Sequence, residues 1–267
     1  MKTRRTTTAL AAATALGLLL AGCSSTPSTT TSASTTSPTT TATSAPIVVF
    51  AAASLQSAFD ELAADFEEKY PQYPVAPITY DGSQALATQI VDGADVDVIA
   101  FASTSNLEPV TEAGITDAGT VFATNTMQIA VAPGNPKKIT DLADLADPDL
   151  AVVLCAVEVP CGAAAHTLLD DAGTTVKPVS EETSVSGVIT RIENAEADAG
   201  LVYATDVAAS AGKLEGITPS NASVAVNKYP IAVSTKAPSP EAAKAFVDYV
   251  LSDEGQALLA ADGFGAP

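Results

Sequence analysis

From Ile47 onward the chain repeats one pattern: a short apolar run, a break of small or turn-forming residues, then apolar positions three or four apart. Ile47–Phe50 reads as a buried strand. Leu55, Phe59, Leu62 and Phe66 then mark one face of a helix over Ser54–Tyr70. The same alternation predicts a strand over Val75–Tyr80, a turn at Asp81-Gly82, and a helix over Ser83–Val91. A strand over Val96–Phe101 and a helix over Asn106–Ala113 follow. Met127–Ala132 is a further strand, stopped by Pro133-Gly134-Asn135-Pro136, with a short helix over Asp141–Leu145 capped by Thr140. A second series opens at Ala151–Cys155. It predicts helices over Gly162–Asp171 and Val185–Ala195, and strands near Val176–Val179 and over Gly200–Tyr203. Val224–Val226 and Ile231–Val233 are strand-like, and helices over Pro240–Leu251 and Asp253–Ala261 close the chain.

Near-continuous apolar strands alternating with amphipathic helices predict an α/β protein whose mostly parallel sheets are covered on both faces. Two such series predict two lobes, with crossovers near Asn125–Val131 and Val226–Val233. The expected division is 47–126 plus 231–267 for one lobe and 127–230 for the other. In open α/β sheets, ligands bind outside the carboxyl ends of strands, where helices begin. Two lobes would present those ends to one cleft.

The first 46 residues follow a different logic. Lys2, Arg4 and Arg5 precede an apolar run, Ala9–Gly22, that is too short to span a bilayer comfortably. The run ends in Leu20-Ala21-Gly22-Cys23, which resembles the lipobox of bacterial lipoproteins. Residues 1–22 then read as a signal peptide and Cys23 as the lipidated residue. Of the 23 residues Ser24–Pro46, 17 are Ser or Thr and three are Pro. That tract cannot bury enough apolar surface to offset its ordering entropy, so 23–46 reads as a tether. The expected location is the outer face of the cytoplasmic membrane, held by a lipid anchor only.

Charge narrows the partners. The chain carries 12 basic and 31 acidic residues, and all the acids lie beyond residue 46. Such a surface excludes a nucleic acid backbone or an anionic lipid surface as partner, since both need clustered Lys and Arg. A single histidine, His166, and no tryptophan exclude poly-histidine metal chemistry. His166 sits within a helix and reads as a core or surface histidine. Asp141, Asp144, Asp147 and Asp149 lack calcium-loop spacing. Tyr70, Tyr73 and Tyr80 read as packing residues rather than ferric-iron ligands.

The candidate chemistry lies at helix starts: Ala51-Ala52-Ala53-Ser54, Asp81-Gly82-Ser83, Val159-Pro160-Cys161-Gly162 and Ser184-Val185-Ser186-Gly187. Unpaired amides and the macrodipole favour negative charge there, and small side chains let an anion reach the backbone. Taken singly, Ser54, Ser83 and Ser184 read as N-caps; only as a set do these starts suggest an anion site. Val49-Phe50-Ala51-Ala52-Ala53-Ser54-Leu55, Gly82–Ile90, Gly93–Val98, Val159–Gly162, Gly200–Tyr203 and Tyr229-Pro230-Ile231-Ala232-Val233 run in the order of a known family. In these segments the chain resembles the periplasmic molybdate-binding proteins of ABC importers, which have the type II binding-protein fold.

The resemblance implies a non-enzymatic receptor, with no catalytic residue and no cofactor, whose ligand is molybdate or tungstate. Molybdenum would be met only through the oxyanion, via Ser54, Ser83, Cys161, Val185 and Tyr203. Ser54 and Ser83 would donate from hydroxyl and backbone, Cys161 and Val185 from backbone, and Tyr203 from its phenol. Ser54 and Ser83 would come from one lobe and the other three from the second. The receptor would act as a monomer and pass its cargo to an ABC permease. Gln84 stands where the family usually has a second Ser or Thr, and Ser103 where an Asp is common. Asp81, so near Ser83, is expected to point away or to accept a bond from a neighbouring N–H. With Cys23 claimed by lipidation, the spacing of Cys155 and Cys161 suits a disulfide, with two buried thiols or a metal site as alternatives. A receptor for another oxyanion such as sulfate is the nearest competing reading. An exported serine hydrolase is disfavoured by the lack of a Gly-x-Ser-x-Gly elbow. A surface adhesin on a Ser/Thr stalk has only the stalk in its favour.

Overall fold

The computed structural model describes residues 44–267. The expectations for the signal segment, Cys23 and most of the tether lie outside these residues. The first series runs β1 (Val49–Ala52), α1 (Gln56–Lys69), β2 (Thr79–Asp81), α2 (Ser83–Val91), β3 (Val98–Ala100), α3 (Thr104–Glu112) and β4 (Thr120–Asn125). After Thr126 come β5 (Met127–Val131), β6 (Val152–Cys155), α4 (Pro160–Asp171), β7 (Ser180–Glu182), α5 (Val185–Glu193), β8 (Ala199–Tyr203), α6 (Ala204–Ala209) and β9 (Glu215–Ile217). The chain ends with β10 (Asn227–Val233), α7 (Pro240–Val250) and α8 (Asp253–Ala261).

Two five-stranded sheets result, ordered β2-β1-β3-β10-β4 and β7-β6-β8-β5-β9. In the first, β1 is parallel to β2 and β3, and β10 runs against both β3 and β4. In the second, β6 is parallel to β7 and β8, and β5 runs against both β8 and β9. The opposed strand in each sheet is the one next to a crossover between lobes. Both sheets are therefore mixed, with one reversed strand among otherwise parallel ones. The first crossover is at Thr126. The second falls earlier than the boundary drawn at Ile231, because Asn227–Val233 is already one strand of the first sheet.

The core follows the apolar stripe of α1. Phe59, Leu62 and Phe66 are fully buried, and Phe66 and Phe59 meet the ring of Phe246 from α7 edge-on at 5.2 and 6.2 Å. Tyr70 joins this cluster against Phe66 and Tyr249, as a packing residue should.

Several local expectations shift. α6 and β9 have no clear apolar signature; β4 has one, Val121-Phe122-Ala123, but no strand is expected there. The strand placed near Val176–Val179 lies at Ser180–Glu182, where pairing with β6 selects it and leaves Val179 exposed. Val224–Val226 is not a strand; a short 3-10 turn, Ala222–Val224, precedes β10. Asp141 rather than Thr140 caps the turn at Leu142–Ala146, with Asp144 accepting from the Thr140 amide and hydroxyl. Among the described residues no helix is long and apolar enough to cross a membrane, and no cluster of His, Cys, Asp or Glu could hold a metal ion.

Candidate functional site

The carboxyl ends of β1, β2, β3, β6, β7 and β8 converge where the two lobes meet. Each parallel strand hands its chain to a turn or helix start at that edge, as the β-α order requires. The cavity there is lined by Ala52, Ala53, Ser54, Asp81, Gly82, Ser83, Ala102, Val159, Pro160, Cys161, Val185 and Tyr203. All five residues expected to meet the ligand are thus brought to one place, and the most exposed of them, Ser54, is only 8% exposed. The free interior is small. Among the described residues, no lysine or arginine is on its wall.

The lobes touch around this cavity. A Cβ added to Gly82 would stand 2.2 Å from the Thr183 carbonyl oxygen across the cleft. At the rim, the Asn106 amide donates to the Glu158 carbonyl at 3.2 Å. The arrangement is a closed one.

Helix starts at the cavity are left without side-chain caps. Gly82 before α2, Val159 before α4 and Ser184 before α5 make no capping bond. Elsewhere Ser103 caps α3 and Ser252 caps α8 in the ordinary way. First-turn amides of α2, α4 and α5 therefore keep their donors and the positive end of the dipole. The expectation that Ser54, Ser83 and Ser184, taken singly, act only as caps is not met. Ser54 lies within the short turn Ala53–Leu55, Ser83 opens α2, and Ser184 caps by position only.

Cys155 and Cys161 form a disulfide that ties the end of β6 to the first turn of α4. The backbone is tight here: a Cβ on Gly162 would fall 1.9 Å from the Ala156 carbonyl oxygen. Glycine lets the helix start sit against the loop.

Behind the cavity lies a hydrogen-bond layer. The Ser83 hydroxyl accepts from the Ala102 amide at 3.0 Å. The Ser54 and Tyr229 hydroxyls share a bond of 3.0 Å. The Tyr203 hydroxyl accepts from the Asn227 side-chain amide at 3.0 Å. Burial, with Tyr229 and Asp206 nearby, holds the Tyr203 phenol well above its ordinary pKa, so it stays a neutral donor. Sequence reading missed Asn125 and Asn227. Their only sequence signal is that Asn227 lies just before the Tyr229-Pro230 motif.

Two carboxylates lie close. Asp81 accepts from the Gly82 amide at 2.7 Å, the second of the two arrangements expected for it. Asp206 accepts from the Tyr203 amide at 2.8 Å, and burial pushes its carboxyl up to about 7. Ser103 faces its own helix start, and Gln84 lines a separate groove with Thr88 and Asn106. His166 is not on the cavity wall, and its Nε2 finds no partner among the described residues.

Two lobes, a closed cleft and converging uncapped helix starts are the arrangement of a two-lobe solute-binding protein. Residues 47–265 match the family described as bacterial extracellular solute-binding protein, and the chain belongs to that family. It is 44% identical over 222 residues to the molybdate-binding protein ModA of Mycobacterium tuberculosis, spanning 82% of this chain and 84% of that protein. Among solved structures it is similar to the periplasmic molybdate-binding protein of Azotobacter vinelandii. That likeness has a TM-score of 0.71 at 19% identity and covers 83% of this chain and 99% of the other. The sulfate-binding protein SubI of M. tuberculosis H37Rv gives 0.69 at 20% identity, over 82% and 86%. At such identities the structural likenesses speak for the fold.

Proposed function

We propose that this protein captures molybdate, and tungstate with it, in the cleft between its lobes and delivers it to an ABC importer. The observation that carries the reading is the meeting of Ser54, Ser83, Cys161, Val185 and Tyr203 around one cavity that, among the described residues, has no cationic side chain on its wall. Its 44% identity to a molybdate-binding protein supports the same ligand. Ser54 and Ser83 would each give a hydroxyl and an amide, Cys161 and Val185 an amide each, and Tyr203 its phenol. Hydrogen bonds to a charged acceptor contribute about 1.5–3 kcal/mol apiece. Together they exceed an association cost of several kcal/mol by enough for micromolar to nanomolar capture, which needs about −8 to −12 kcal/mol. Exposed carboxylates further than about 8 Å from the ligand are largely screened at physiological salt, so the acidic surface does not forbid a dianion.

The receptor would work as a monomer, docking on a permease while anchored through lipidated Cys23. The Leu20-Ala21-Gly22-Cys23 sequence supports the anchor, which needs more than one acyl chain to be stable. Loss of membrane retention in Cys23→Ala would support that reading; unchanged retention would overturn it. For the ligand, titration calorimetry against molybdate, tungstate, sulfate and phosphate is the test. Tight heat with molybdate and tungstate is expected. Clear binding of sulfate alone would replace the assignment by the nearest alternative.

A further inference from the structure

Two buried asparagines at the hinge donate toward the tyrosines beside the cleft. Asn125 and Asn227 face each other across β4 and β10, where the two strands leave the first lobe, and both are buried. The Asn227 amide nitrogen donates to the Ala102 carbonyl at 2.9 Å and to the Tyr203 hydroxyl oxygen at 3.0 Å. A carbonyl only accepts, so the bond to Ala102 identifies the nitrogen side of the amide. The second proton of the same NH2 then goes to the Tyr203 oxygen. With its oxygen occupied from behind, Tyr203 has its own proton left for the cleft or for the adjacent Tyr229 hydroxyl. Asn125 is oriented in the same manner. Its carbonyl accepts from the Thr126 amide at 2.9 Å, so its nitrogen faces the Thr205 hydroxyl at 2.8 Å and, more weakly, the Tyr229 hydroxyl at 3.5 Å. Tyr229 in turn holds Ser54.

We propose that Asn227, assisted by Asn125, is a positioning and specificity-determining residue. It occupies the acceptor side of Tyr203 from across the hinge, so that Tyr203 offers the ligand only a proton. This rests on the oxyanion reading above. Asn227 lies on the first lobe and Tyr203 on the second, so this arrangement also ties donor orientation to the relative position of the lobes. The Ser83 hydroxyl is set by the same logic within one lobe, its oxygen accepting from the Ala102 amide. One short stretch of backbone, Ala102, thus anchors Asn227 through its carbonyl and Ser83 through its amide.

Asn227→Asp inverts the polarity toward Tyr203, and because the new oxygen also meets the Ala102 carbonyl, Asn227→Ala is run through the same cycle as the variant without that repulsion. The oxygen now facing Tyr203 accepts its proton and withdraws it from the cleft. The test is a double-mutant cycle read by calorimetry with molybdate: unmutated protein, Asn227→Asp, Tyr203→Phe and the pair. Asn227→Asp is expected to lose about 10–100-fold in affinity, the scale of one charged hydrogen bond. On the Tyr203→Phe background it is expected to cost less than about three-fold, because the two act as a unit. A residue that only supports the fold would give additive losses, and that result overturns the proposal. Asn227→Ala, which carries the test alone should Asn227→Asp not fold, is expected to show a loss of roughly five-fold that also vanishes without the phenol. No heat from the unmutated protein with any oxyanion overturns the ligand reading together with the proposal. Heat with additive losses overturns the proposal alone.

Discussion

In the first lobe the cleft is faced by two serines whose oxygens are held from behind, Ser54 by Tyr229 and Ser83 by the Ala102 amide. In the second lobe it is faced by bare helix starts, at Cys161 and Val185, and by one phenol. The strand plans match: each sheet has three parallel strands and then a reversed one. What differs is where the donors come from. A hydroxyl needs a neighbour to set its proton, whereas an amide at a helix start is aimed by the helix itself. The second lobe therefore needs its backbone held still, and the Cys155–Cys161 disulfide lies there.

The contact between the lobes gives the largest expected effect. Gly82 has φ −59° and ψ 135°, which any residue adopts, so Gly82→Ala is harmless to its own lobe. Its Cβ meets Thr183 only when the lobes are closed. Molybdate affinity should fall by about 3 kcal/mol, on the order of 100-fold, at unchanged melting temperature of the ligand-free protein. An unaltered affinity would show that ligand is held without this closure.

Next comes the contrast of hydroxyl with amide. Val185 is the first residue of α5, and Ser184 before it is extended, so Val185→Pro fits the backbone while deleting one N–H. It should weaken binding by about 1.5–3 kcal/mol, and Val185→Ala should leave it within about two-fold. Ser54→Ala and Tyr203→Phe should each cost about 1–3 kcal/mol. If Val185→Ala hurts as much as Val185→Pro, the amide is not the donor.

Removing the disulfide in a Cys155→Ser, Cys161→Ser protein should lower stability to urea by about 2–3 kcal/mol. It should also weaken anion binding several-fold while leaving the residue 161 amide in place. Stability lost without any change in affinity would separate the cross-link from the site.

The smallest effect on binding concerns Asp206. Its folded carboxyl titrates near 7, against an ordinary value of 3.8. Between these values the folded protein binds more protons than the unfolded chain, so stability falls as pH rises. Urea unfolding should show a loss of roughly 2–3 kcal/mol from pH 5 to pH 8, absent in Asp206→Asn. A pH profile identical in the variant would place the titration elsewhere.

Much of the architecture was readable because burial writes a period into the chain. The stripe Leu55, Phe59, Leu62, Phe66 could only be one helix face, and all four are buried in the core. Helix starts after apolar strands placed Ser54, Ser83, Cys161 and Val185 at strand ends, and topology then brings such ends together. β4 does carry an apolar run, Val121-Phe122-Ala123, whereas β9 was not readable, since its pairing with β5 rather than its own hydrophobicity makes it a strand. The same holds for the strand at Ser180–Glu182, selected by its register against β6.

Local order along the chain was enough to specify the two α/β series, the small-residue helix starts and the absence of a cationic anion trap. Which way a hydroxyl points was not contained in it. Asn227 lies 24 residues from Tyr203, and Tyr229 lies 175 from Ser54. No sequence spacing encodes a bond between groups so far apart. A proton's direction depends on a partner's lone pair within about 3 Å, and only folding, by setting β10 against the turn after β1 in its own lobe and beside β8 of the other, brings those partners into reach.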